Sequence, residues 1–118
     1  MAGMNAGALD RDVLIQELTD EAKPGYPTET WDTLADGVWM SKTDAKGTER
    51  FVAGQVSASY ETRWGSHWRD DMDPDRYDVP KTRRLIHRGR IYRIVAVREV
   101  GRQEGLEFFT LTGARLAS

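Results

Sequence analysis

The chain has 118 residues, 39% hydrophobic and 31% charged, with a formal net charge of −2 and no cysteine. That length makes one domain with one modest core, and the composition is too apolar for wholesale disorder. Disulfides and thiolate metal sites are excluded, and no apolar run reaches the length of a membrane span.

Residues 1–8 hold neither a basic n-region nor an apolar h-region, so the expectation is a flexible small-residue arm and not a secretory signal. A single domain is expected over 9–118. Leu9 to Thr19 predicts a strand, because Leu9, Val13 and Ile15 alternate with Asp10, Asp12 and Gln16. The run Lys23-Pro24-Gly25-Tyr26-Pro27 breaks regular structure. Trp31 to Lys42 predicts a second strand, with Gly37 marking a bulge or bend. Thr43 to Gly47 has turn chemistry, and Thr48 to Gln55 predicts a short helix with Thr48 as N-cap.

Val56 to Trp68 is the clearest strand in the sequence. Val56, Ala58, Tyr60, Thr62, Trp64 and Trp68 share one parity, while Ser57, Ser59, Glu61, Arg63, His67 and Arg69 share the other. Asp70 to Pro80 reads as a loop. Residues 82–98 predict a hairpin turning at Arg88-Gly89, and Leu106 to Thr112 the last strand. The sum is a mainly β fold, a small antiparallel β-barrel or sandwich with one short helical insert and long loops.

Little in the sequence carries covalent or metal chemistry. Asp71, Asp73 and Asp75 have the spacing of the first ligands of an EF-hand, but Arg76 stands where Gly is needed and Thr82 where a closing Glu belongs. His67 and His87 lack metal-site spacing and are expected to be structural. No nucleophile elbow, phosphate loop or dinucleotide fingerprint is present. The expectation is therefore no catalytic site, no metal and no cofactor.

Charge is unevenly placed. Residues 1–60 carry 10 acids against 5 bases, while residues 81–118 carry 9 bases against 3 acids. Arg83, Arg84, Arg88, Arg90, Arg93, Arg98 and Arg102 form the strongest basic series, read as pairing with an acidic neighbour in preference to DNA phosphates, with the first five as its docking members. Arg63 to Arg69 interleaves bases with aromatics, which would suit an OB-like module that stacks single-stranded nucleic acid. Parity favours a core or subunit-interface role for Trp64 and Trp68, joined by Trp31, Trp39, Tyr60 and Tyr92.

Five words recur in order along the chain: the run from Gly7 to Gln16, Glu29-Thr30-Trp31, Gly37-Val38-Trp39, Glu49-Arg50-Phe51, and Arg88 to Ile94. Together they resemble the head-tail joining (head-closure, stopper or adaptor) proteins of tailed phages and phage-like particles. The resemblance implies a β-barrel subunit in a homo-oligomeric ring of six or twelve copies. That ring would lie between the portal-bound adaptor and the tail-terminator protein, with DNA passing through the lumen without sequence specificity. It implies a virion location after assembly in the host cytoplasm, and no membrane partner. A tail-terminator or minor tail protein is the related alternative. On this reading Thr43, Asp44, Lys46, Glu49, Arg50 and Gln55 belong to a gating loop, and the hairpin arginines to a ring-docking surface.

Overall fold

In a computed structural model, the described residues are 9–21, 24–25, 28–53 and 56–115; of 45–53, 56–59 and 114 only the backbone is described. The elements run β1 (Arg11–Asp20), β2 (Thr30–Ala53), β3 (Val56–His67), a 3-10 turn (Asp70–Met72), α1 (Val79–Thr82), β4 (Arg83–His87), β5 (Arg90–Val100) and β6 (Gly105–Arg115). All strand pairs are antiparallel, and they close into a barrel in the order β1-β2-β3-β6-β5-β4. Closure comes from β1 against β4, with Leu14 opposite Ile86 and Glu17 opposite Arg83. Within the closed part of the sheet no strand edge is left for stray pairing.

Alternation in the sequence places the core. From β3, Thr62, Trp64 and Ser66 point inward and are buried, while Glu61 and His67 are exposed. Val13, Ile15, Met40, Leu85, Tyr92, Ile94, Leu106 and Phe108 complete the barrel interior. Met72 and Val79 join the same cluster from the 3-10 turn and α1, so the segment after β3 plugs the barrel with apolar side chains. Tyr60, Ala96 and Phe109 form a second, smaller cluster, with the Tyr60 and Phe109 rings edge to face at 5.0 Å.

Trp64 is the hub of the core and has no exposure. Its Nε1 donates to Thr110 Oγ1 at 3.1 Å, and that hydroxyl donates to the Thr62 carbonyl at 2.9 Å. Its ring meets Tyr92 and His87 edge to face, at 5.0 and 5.4 Å. The indole N–H, which would be costly to bury alone, is satisfied within the barrel.

Two local features match their sequence signals. Gly37 has a φ of +67° and sits where β2 slips against β1, between Val13 opposite Val38 and Ile15 opposite Ala35. Arg88 and Gly89, at φ 53° and 74°, make the tight two-residue turn between β4 and β5. The turn and helix expected at Thr43–Gly47 and Thr48–Gln55 are corrected. β2 continues through Ala53, and its backbone pairs with β3 from Glu49 opposite Tyr60 to Ala53 opposite Val56. Pairing with a neighbouring strand outweighed a helix too short to stand alone. The short helix of this fold is α1, inside the segment expected to be loop. The arm expected at residues 1–8 lies outside the described residues.

Replacing Trp64 with Ala should cost about 3–5 kcal/mol in urea unfolding, since it empties the barrel centre. Replacing Trp39, which is 56% exposed, should change unfolding by no more than about 0.5 kcal/mol.

Candidate functional site

The arginines of the expected docking series divide into two kinds. Arg83 is buried, with Nε donating to the Asp71 carbonyl at 3.1 Å and Nη1 lying 3.9 Å from Glu17. Its guanidinium also stacks over the Tyr77 ring at 4.6 Å. Arg83 thus binds the plug segment to β1, inside the fold and away from the outer surface. Arg84 is half-buried: Nε donates to Gln16 Oε1 at 2.7 Å, and the guanidinium lies 4.3 Å over Trp31. Burial pulls its pKa below the ordinary arginine value, and the Glu29 carboxylate offsets this only in part. Arg88 and Arg93 are exposed and Arg90 is partly so.

Arg88 and Arg90 flank the β4–β5 turn and line a cleft of about 240 Å³ with Arg11, Lys42 and Arg115. The barrel registers bring these residues to one end. Arg11 lies opposite Met40, His87 opposite Arg90, and Arg90 opposite Arg115. Among the described residues no acidic side chain lines the cleft. Lys42 contacts Asp44 at 3.3 Å and Arg11 contacts Asp10 at 3.7 Å, both outside it. His87 forms part of the wall, with Nδ1 3.1 Å from the Asp12 carbonyl. A carbonyl only accepts, so Nδ1 carries the proton there. Tyr92 forms the floor and is 7% exposed.

Arg11, Lys42 and Arg115 were not among the residues singled out from the sequence. The signal was present, because a β1–β2 hairpin and a β5–β6 hairpin carry these bases to the end where Arg88-Gly89 turns. It could be read only once the strand registers were fixed.

The six aromatics separate by depth. Trp64, Tyr60 and Tyr92 are core residues, and buried Trp64 has no free face for a nucleic-acid base to stack on. Trp31 is half-buried under Arg84. Trp68 is half-buried, with Nε1 donating to Asp70 Oδ1 at 2.8 Å. Trp39 is turned outward, because the β2 bulges place Met40 inside in its stead. Trp39 and Trp68 line a shallow groove of about 270 Å³ with Asp36, Gly37, His67 and Arg69.

Beyond the barrel, β2 and β3 continue as a two-stranded ribbon. β3 pairs with β6 only from Thr62 to His67, so Val56 to Ser59 pair with β2 alone among the described strands. Asp44 lies opposite Thr62 and Glu49 opposite Tyr60, which places a multi-residue irregularity at the base of the ribbon. Of the expected gating residues, Thr43 and Asp44 are exposed at this base, and Asp44 accepts from Thr62 Oγ1 at 3.3 Å. Lys46, Glu49 and Arg50 are on the ribbon backbone, and Gln55 lies outside the described residues. The acidic loop has internal partners: Asp71 takes two hydrogen bonds from Arg69, and Asp73 Oδ1 accepts the Asp75 N–H at 2.9 Å.

A small closed barrel with one basic end, an outward tryptophan and a projecting ribbon is a module built to meet other macromolecules. Comparison with protein families matches residues 4–112 to the phage head completion proteins, and the chain belongs to that family. No curated protein matches it. Membership makes it a virion-associated structural protein with a part in closing the phage head. Among the described residues, no helix is long and apolar enough to cross a membrane.

Arg83→Ala should lower stability by about 1–3 kcal/mol in chemical denaturation, since it strips partners from Asp71 and Glu17. Arg88→Ala and Arg90→Ala should each stay within about 0.5 kcal/mol of the parent chain.

Proposed function

We propose that the protein is a ring-forming connector subunit placed between the portal-bound adaptor and the tail-terminator protein. There it closes the DNA channel after packaging and offers the surface on which the tail docks. The observation that carries this reading is the convergence of five cationic side chains on one end of a closed barrel. Such an end docks by electrostatic complementarity, which steers and orients partners without covalent chemistry. Arg88, Arg90 and Arg93 supply exposed docking charge, and the groove beside Trp39 supplies an apolar anchor of the kind that concentrates binding energy.

The β2–β3 ribbon is the gating element of this proposal. A two-stranded hairpin without a third strand is marginally stable alone, so its position responds readily to what it touches. Residues 43–55 can thus lie across a lumen in one state and along a neighbour in another.

A reconstruction of the connector in particles carrying this chain tests the position: density for the barrel as a ring below the adaptor is the expected result, and its presence only in the tail would overturn it. Replacing residues 46–57 with an Asn-Gly turn should leave barrel melting nearly unchanged yet give heads that lose packaged DNA. Full DNA retention by such heads, measured by nuclease protection, would remove the ribbon from the gate.

A further inference from the structure

The two ends of the barrel carry opposite charge. At the β4–β5 turn, Arg88, Arg90 and Arg115 have no carboxylate partner among the described residues. Along the barrel wall the picture differs: Glu107 pairs with both Arg63 and Arg98, and Glu17 approaches Arg83. Uncompensated positive charge is thus concentrated at the end. The far end, where Asp20 lies opposite Thr30 and the plug segment enters, exposes Glu21, Glu29, Asp32, Asp75 and Asp78 against Arg76, Lys81 and Arg93; Glu21 lies 3.4 Å from Lys81, and Glu29 shares a cleft with Lys81, Arg84 and Arg93.

From this we infer that the basic cleft receives the carboxylates of the opposite end of a second copy of this chain, so that subunits associate head to tail. The site is half a site: one copy supplies the guanidinium forks, and the next supplies the acids. The inference rests on the ring reading above and names the contact that would build such a ring. Guanidinium groups hold carboxylates through paired charge-assisted hydrogen bonds, which fix orientation as well as attract. A cleft of about 240 Å³ admits side chains, whereas a nucleic-acid duplex would bridge over it. A single strand needs aromatic faces to stack on, and the two rings of the described lining, Tyr92 and His87, are buried and set edge to face against Trp64. Because the two surfaces differ, the contact is heterologous. It repeats from copy to copy and closes into a ring when the rotation allows.

Two charge reversals test this in the purified full chain: Arg88→Glu with Arg90→Glu at the basic end, and Glu29→Lys with Asp32→Lys at the acidic end. The parent chain should self-associate in sedimentation experiments at low salt, and high salt should weaken that association about tenfold or more. Each variant alone should be monomeric, with unchanged circular dichroism. An equimolar mixture of the two should associate again, because the intact acidic end of one variant meets the intact basic end of the other. A mixture that stays monomeric overturns the inference. So does a parent chain that stays monomeric at low salt, or one whose association ignores both reversals. Tight duplex DNA binding lost in the basic-end variant, with self-association intact, assigns the cleft to nucleic acid and also overturns it. Rings seen in the connector but held by other faces would sink this contact and leave the proposed position standing. A subunit found outside the connector would sink the position and leave the pairing result untouched.

Discussion

The fold depends on one buried side chain finding its polar partner. Trp64 fills the barrel centre, and its indole N–H has a place only because Thr110 accepts it and passes a hydrogen bond on to the Thr62 carbonyl. Thr62 and Trp64 are on β3 and Thr110 is on β6, so the chain of bonds ties the two middle strands of the sheet together. The ring faces then reach His87 on β4 and Tyr92 on β5. Four of the six strands meet at this residue, and the pairing of β1 with β4 encloses it. A 118-residue barrel has little core to spare, and so much of its order rests on this one contact set.

Parity was the legible part of the sequence. The alternation of Thr62 and Trp64 with Glu61 and His67 gave the inward face of β3 where it lies in the barrel, and Arg88-Gly89 announced its own turn. Gly37 announced a bulge, yet its effect on the neighbours was not legible. Two slips in the β1–β2 register turn Trp39 outward and Met40 inward, and nothing in the local pattern states how many residues a bulge will displace. The stretch from Thr48 to Gln55 offers a cap and an apolar face to a helix, but a long partner strand competes for the same backbone, and that partner is visible only in three dimensions. Likewise Arg83 has the look of a surface base. Its burial follows from the Asp71 carbonyl and Tyr77, both supplied by a segment that reads as plain loop.

The candidate surfaces were legible to a lesser degree. The acidic front half and basic back half of the sequence do not sort cleanly onto the two ends of the barrel. Antiparallel pairing makes this happen, because it brings Arg11 and Lys42 from the acidic half to the basic end. On the wall between the ends one glutamate, Glu107, serves two arginines.

The way the barrel closes has a consequence for its synthesis. β1 emerges first from the ribosome, yet the strand that seals it, β4, lies some seventy residues downstream, with Leu14 waiting for Ile86. Until that stretch is made, one side of β1 has no partner, and Val13 and Ile15 lack the interior they are buried in. Contacts this distant in sequence are slow to form, because the intervening chain must be ordered before they repay its loss of freedom. The hairpins in between can form locally and early, so closure is the last and slowest step. The chain therefore passes through a stage with an open, apolar edge. Synthesis, and not the finished particle, is where this fold is most exposed to error.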